Sequence, residues 1–214
     1  MIFRLQISRR AALGAAFGCA LAIILGGCSF SRPAPVKQTY LVNPKLPAAL
    51  AAPAQKGSLR IGSLRIASTF RDRNFVSRES DLRFETDYYH EFLVPPSAML
   101  SESLARALTQ ANVFTHTAAP DLPVEADYVL DGFVAELYAD NRVRGPCVAT
   151  FAVAFYLSRA DIGSGVPFWS KDYRSETRCS DDSADAYVAA LSTGLSDVFE
   201  KLAKDLAAAK MPAQ

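Results

Sequence analysis

Cys147 and Cys179 place the tightest constraint on what this chain can fold into. The residues between them read as two β-strands, 147–157 and 167–176, joined by the turn-like Asp161-Ile162-Gly163-Ser164-Gly165. The centre of that turn is Gly163. Cys147 lies 16 residues before it and Cys179 lies 16 after it. An antiparallel hairpin of that register sets the two cysteines opposite each other, within disulfide reach. The expectation is a Cys147–Cys179 bridge worth roughly 3–4 kcal/mol on the loop-entropy account. The alternative is two free, buried thiols.

A disulfide needs an oxidising compartment, and the N-terminus supplies the route to one. Arg4, Arg9 and Arg10 form a basic head, residues 11–25 are apolar, and the run ends in Leu25-Gly26-Gly27-Cys28. This is the layout of an export signal, and the apolar run is short against the roughly 20 residues of a spanning helix. Its end resembles the lipobox of bacterial lipoproteins. That resemblance implies a diacylglycerol on the Cys28 sulfur, cleavage before Cys28, and acylation of the new N-terminus, for instance by palmitate. Cys19 also follows a glycine but lies within the apolar run and lacks a polar sequel. Ser8-Arg9-Arg10 with Leu13 matches part of a twin-arginine signal and equally a chance basic pair. The export route therefore stays open. Residue 29 is Ser rather than Asp, which by resemblance to lipoprotein sorting rules implies the outer membrane, periplasmic face.

Cleavage removes 27 of the 214 residues and leaves 187, enough for one domain with a sizeable core. Three of the 23 basic residues leave with the signal, so 20 face 22 acids, a net charge of −2. No basic stripe exists for nucleic acid. Anchoring rests on the lipid.

The expected organisation is a signal over residues 1–27, a lipidated N-terminus and tether over 28–57, and one domain over 58–214. Prolines 33, 35, 44, 47 and 53 mark the tether. Thr39-Tyr40-Leu41-Val42 interrupts it with strong strand propensity and is expected to pair onto the sheet. Residues 29–38 then form a leash of at most about 35 Å. A tandem pentapeptide follows, Gly57-Ser-Leu-Arg-Ile and Gly62-Ser-Leu-Arg-Ile66. Five is odd, so a straight strand would point the copies to opposite faces unless both faces are covered or Gly62 forms a bulge. No wider period exists, and the repeat reads as local coincidence.

Residues 75–80, 82–89, 113–117 and 127–138 read as further strands. Pro95-Pro96-Ser97 opens a helix with Met99, Leu100, Leu104, Leu108 and Ala111 as its apolar stripe and Asn112 at its end. Asp182-Ser183-Ala184-Asp185 caps a second helix. Its buried face is Tyr187, Leu191, Leu195, Val198, Phe199, Leu202 and Leu206, with Glu200–Lys204 and Lys201–Asp205 paired on the wet side. Gly194 within it suggests close packing on the sheet. The fold class is α+β: a mixed, mostly antiparallel sheet of six to eight strands with two helices packed on one face.

No chemistry of an enzyme is legible. There is no Gly-x-Ser-x-Gly elbow and no phosphate loop. His90, His116, Cys147 and Cys179 could in principle make a zinc set, but none shows close metal-ligand spacing. No metal and no cofactor beyond the covalent lipid on Cys28 is expected. Tyr88, Tyr89, Phe92, Phe168 and Trp169 are the candidate partner interface, since aromatics favour such surfaces. Equally, they could feed the core.

With these elements in place the chain resembles the ABC-type transport auxiliary lipoproteins, which accompany MCE-type lipid transport systems. The resemblance runs over essentially the whole mature chain. It rests on the lipobox, Tyr40-Leu41, Phe75-Val76-Ser77-Arg78, Tyr88-Tyr89-His90-Glu91-Phe92, Pro95-Pro96 and the helix with Leu104 and Leu108. Asp127-Tyr128-Val129-Leu130-Asp131-Gly132, Glu136-Leu137-Tyr138-Ala139-Asp140 and the C-terminal helix complete it. Phe92 stands where many members carry Trp. The resemblance implies a non-enzymatic adaptor docking an MCE-domain subunit at the outer-membrane end of the system. A lipoprotein serving outer-membrane assembly or activating a peptidoglycan synthase would share the same features. So would a periplasmic lipid carrier.

Overall fold

The computed structural model describes residues 36–118, 125–142, 144–160 and 166–212. The signal, Cys28, the leash to residue 35 and the 161–165 turn lie outside the described residues. Eight strands and two α-helices follow in chain order. They are β1 (Gln38–Tyr40), β2 (Gln55–Ile66), β3 (Asn74–Arg78), β4 (Phe84–Phe92), α1 (Pro96–Ala111), β5 (Phe114–Ala118), β6 (Tyr128–Asp140), β7 (Val148–Arg159), β8 (Trp169–Arg178) and α2 (Ala184–Ala208).

β6 is the spine of a mixed eight-stranded sheet. One edge of it runs antiparallel to β7, which continues antiparallel to β8. Its other edge is shared. β2 lies parallel along Tyr128–Val134, and β3 takes over parallel at Ala139 and Asp140. β5 then flanks β2, while β4 and β1 extend the sheet beyond β3. The long β6–β7–β8 meander carries the antiparallel character, and β2 is parallel to both of its neighbours.

Inward residues alternate along β7 as Phe151, Val153, Phe155 and Leu157, all buried. α2 covers β7 and β8, and α1 covers β2 and β5 beside it. Ser183 caps α2, its hydroxyl accepting from the Ala186 N–H at 3.1 Å. Asn112 ends α1 in the left-handed conformation at φ 55°. Every residue expected on the buried face of α2 is buried. Gly194 is where the helix approaches most closely: a Cβ there would sit 2.5 Å from Ser175 Oγ and 3.1 Å from Thr177 Oγ1 on β8. Glu200 and Lys204 pair at 2.7 Å. Asp205, expected to pair with Lys201, instead receives Lys171 at 2.8 Å and the Tyr173 hydroxyl at 2.7 Å from β8.

The tandem pentapeptide is a structural repeat rather than a coincidence. β2 carries one extra residue at each copy, at Lys56-Gly57 against β5 and at Gly62-Ser63 against β6. Gln55 and Ser58 oppose Phe114 and His116, and Ile61 and Leu64 oppose Leu130 and Gly132. Three positions of β2 therefore span two of its partner, and Leu59, Ile61 and Leu64 all stay inside. An aspartate fastens the serine of each copy, one just before β6 and one within it. Asp127 accepts the Ser58 N–H at 2.7 Å, and Asp131 accepts the Ser63 N–H at 2.7 Å. Five residues separate the serines and four separate the aspartates, which is the inserted residue read from both strands. Gly57 sits at φ 96°, and a Cβ on Gly62 would meet Asp131 Oδ1 at 2.4 Å.

The tether expected to reach residue 57 is fastened to the domain from residue 36 onwards. β1 pairs parallel with β4, as the Thr39–Val42 island suggests. Beyond it, Val42, Pro44 and Pro47 are buried. The Asn43 and Lys45 N–H groups donate to Ser192 and Ser196 of α2 at 3.0 and 2.8 Å. The Leu50 N–H donates to the Ala111 carbonyl at 3.0 Å. Gln55 closes the segment. Its side-chain amide donates to the carbonyls of Leu206, Ala207 and Ala209, capping the C-terminus of α2. Prolines fix φ without requiring a free chain, and here Pro44 and Pro47 lie buried in a strap beside the helices.

Candidate functional site

Among the described residues, 87–90 within β4 hold two adjacent exposed tyrosines with contacts of their own. Asn74 and Val76 of β3 oppose Glu91 and Thr86 of β4, so two steps on one strand face five on the other. The surplus loops out. Asp87 shapes it: Oδ1 accepts the Tyr89 and His90 N–H groups at 2.7 and 3.1 Å, and Oδ2 lies 2.6 Å from His90 Nδ1. The Asn74 side-chain amide holds the Asp87 carbonyl at 2.8 Å. Local side-chain capping of this kind is what Asp does best at a break in a ladder.

The consequence is that adjacent residues, which a regular strand would send to opposite faces, both face solvent. Tyr88 is 68% exposed and Tyr89 is 42% exposed. Their rings meet edge to face at 5.2 Å. Lys37 stands 4.9 Å from the Tyr88 ring centre and pairs with Glu91 at 3.4 Å. Arg73 binds the other oxygen of Glu91.

Beside the bulge lies a cleft of about 380 Å³, bounded by Phe75, Asp87, His90, Cys147, Ser183 and Tyr187. The N-terminus of α2 opens towards it. The Tyr187 hydroxyl is buried without a hydrogen-bond partner among the described residues, and burial pushes its pKa up.

Burial alone would raise the Asp87 pKa. The hydrogen bonds from His90 and from the Tyr89 and His90 N–H groups outweigh it and hold the carboxyl below its ordinary value. A carboxyl lowered in the folded state stabilises above its unfolded value and loses that contribution as pH falls through the folded one. Amide protection at Tyr89 and His90 is therefore expected to be constant from about pH 5 to pH 8 and to fall below about pH 4. Asp87→Ala should lack it throughout. Hydrogen exchange followed by NMR checks this, and protection that survives the substitution would contradict the bulge as described.

The five aromatic candidates do not form one surface. Tyr88 and Tyr89 stand together. Phe92 is a correction: it is 2% exposed, because β4 resumes regular pairing after the bulge and turns that side chain inward. Its ring lies 4.7 Å from Phe75. Phe168 and Trp169 are partly buried against the core, Phe168 edge-on to Tyr128 at 6.0 Å. They also lie at the far end of the sheet. Trp169 pairs through Leu157 to Leu130, whereas β3 meets β6 at Ala139. Nine residues of strand, about 30 Å, separate those levels.

Cys147 and Cys179 are joined, with Cα atoms 5.3 Å apart, and Val148 opposite Arg178 sets the register that Gly163 implies. His90 is engaged by Asp87, and His116 stands opposite Ser58 on β5. Among the described residues no cluster of three His, Cys, Asp or Glu side chains is placed to hold a metal. Nor is any helix among them long and apolar enough to cross a membrane.

Solved structures share this fold. One is protein XCC0632 from Xanthomonas campestris, which carries the family-model name DUF330. It is 17% identical over 78% of this chain and 92% of its own, with a TM-score of 0.68. Another, a protein of uncharacterised function, is 15% identical over 77% of this chain and 99% of its own, with a TM-score of 0.58. At such identities the likeness is one of fold. No protein-family model matches the chain. No curated protein matches it either.

Proposed function

We propose that this protein is a non-enzymatic lipoprotein, anchored by Cys28 to the periplasmic face of the outer membrane. In this reading it serves as an auxiliary component of an MCE–ABC-type lipid transport system, docking an MCE-domain subunit through the Tyr88–Tyr89 bulge. The observation that carries the reading is the bulge itself. Asp87 uses its hydrogen bonds to hold two adjacent tyrosines on one exposed side, their rings in contact. Tyrosine is well suited to such a surface, with large contact area and few rotatable bonds. Lys37, Arg73 and Glu91 give it the polar rim of a protein interface. The export signal and lipobox support the location, and the motif series from Tyr40 to the C-terminal helix supports the system. Tethering to the membrane raises the local concentration of a partner, so a modest contact area suffices.

The test is isolation of the full-length protein from its own cells in mild detergent. Recovery of an MCE-domain subunit, lost in Tyr88→Ala/Tyr89→Ala, is the expected result. Recovery of a peptidoglycan synthase in its place, or of the MCE subunit undiminished by the double substitution, contradicts the reading.

A further inference from the structure

A second surface, distinct from the tyrosine bulge, is apolar and shaped to take a chain. Between the strap and α1 runs a groove of about 650 Å³ bounded by Leu41, Val42, Leu46, Val94, Met99 and Ala105. Val42, Met99 and Ala105 form a buried floor. Leu41 and Leu46 stand on the rim, 50% and 39% exposed. Leu93 is exposed nearby, its N–H donating to the Tyr40 carbonyl at 2.8 Å. Glu102 and Arg106 of α1 supply the polar border. The volume lies within the range of small-molecule sites, which are mostly apolar with a few polar groups at one side.

The position of the groove along the chain says what would meet it. Val36, where the described domain begins, lies eight positions after Cys28. Fully extended, that stretch reaches about 28 Å. Val36, Leu41, Leu46 and Leu50 follow within the next fifteen residues, and all four are exposed. Among the described residues, the exposed aliphatic side chains of the strap are those nearest in sequence to the anchor. Exposed apolar side chains beside a membrane anchor suit contact with lipid by the same physics that seats an amphipathic segment at the acyl boundary.

We infer that the strap–α1 groove receives a fatty-acyl chain of a phospholipid in the membrane that anchors the protein. The inference rests on Cys28 as the lipid anchor for its access to that membrane, and on the described residues alone for its shape and chemistry.

The experiment uses full-length lipidated protein in vesicles of phosphatidylethanolamine and phosphatidylglycerol, doped with a phospholipid bearing a diazirine near the end of one acyl chain. After illumination the labelled peptides are mapped by mass spectrometry. Label is expected on residues 41–46 and 94–106, falling about tenfold or more in Leu41→Asp/Leu46→Asp. Both side chains are half exposed, so that variant should keep its thermal midpoint, which is measured alongside. Label spread evenly over the surface, concentrated on Tyr88 and Tyr89, or unchanged in the folded variant would overturn the inference. The intact mass of the isolated protein separately reports whether Cys28 carries lipid. If it does not, the anchor reading fails. Cys28→Ser protein mixed with the same vesicles then tests the groove alone, and absence of label there overturns it.

Discussion

Replacing Cys147 and Cys179 together by alanine is expected to lower stability by about 3–4 kcal/mol. The bridge closes a loop with a sequence separation of 32. Without it the unfolded chain regains the freedom that closure removes, and that gain grows with the logarithm of loop length. Its place in the native fold adds to the effect. The cysteines tie the open end of the β7–β8 hairpin, where the Cys179 N–H also donates to the Cys147 carbonyl at 2.8 Å. From there the chain enters α2. Both residues are buried, so serine replacements would add an unpaired hydroxyl on each side and confuse the reading. For a domain of this size the loss corresponds to a fall in the thermal midpoint of roughly 10 °C. Denaturant unfolding of the double variant against the oxidised protein measures it. A change below about 1 kcal/mol would mean that the hairpin register alone holds these residues together in the unfolded ensemble as well.

Phe92→Ala is expected to cost about 3–5 kcal/mol. Tyr88→Ala and Tyr89→Ala, only three or four residues away, should each stay within about 0.5 kcal/mol. The contrast follows from burial. Phe92 packs on Phe75, which in turn meets Tyr187 of α2 at 5.2 Å. Removing the Phe92 ring therefore leaves a cavity where β4 and β1 join the helix layer. The tyrosines make no comparable contact with the core. Equilibrium unfolding of the three variants tests the division. A mild Phe92→Ala together with a severe Tyr89→Ala would place the bulge inside the core and remove it as an interface.

The strands, both helices and the disulfide were legible because each rests on a local rule. Alternation marks β7, Ser183 with Asp185 marks the start of α2, and symmetry about Gly163 pairs the cysteines. What escaped was set by pairing partners distant in sequence. The five-residue repeat could suggest a bulge, but only the pairing of β2 with β5 and with β6, and the contacts of Ser58 and Ser63 with Asp127 and Asp131, fix where each one falls. The Pro-containing strap reads as a tether until Ser192 and Ser196 of α2 are seen to accept its N–H groups. In the candidate site, Tyr88-Tyr89-His90-Glu91-Phe92 offers no periodicity by which to separate outward from inward residues. The surplus of β4 over β3 sends the tyrosines out and Phe92 in, and that surplus exists only once Asn74 and Glu91 are paired. The role of Asp87, one residue before that motif, as the residue that folds the bulge was not legible. Trp169 illustrates the converse. A lone tryptophan beside a phenylalanine has the composition of an interface, and in the fold both rest partly against the core.

The most direct test is residue-resolved cross-linking in living cells, with a photo-reactive amino acid placed at position 89 and, separately, at position 169. Both stand in β-structure, at levels of β6 near Leu137 and Leu130, roughly 20 Å of strand apart. An adaptor that docks through the tyrosine bulge predicts an MCE-domain subunit captured from position 89 and not from position 169. Capture of that subunit from position 169 alone, or of no transport subunit from either, would contradict the account.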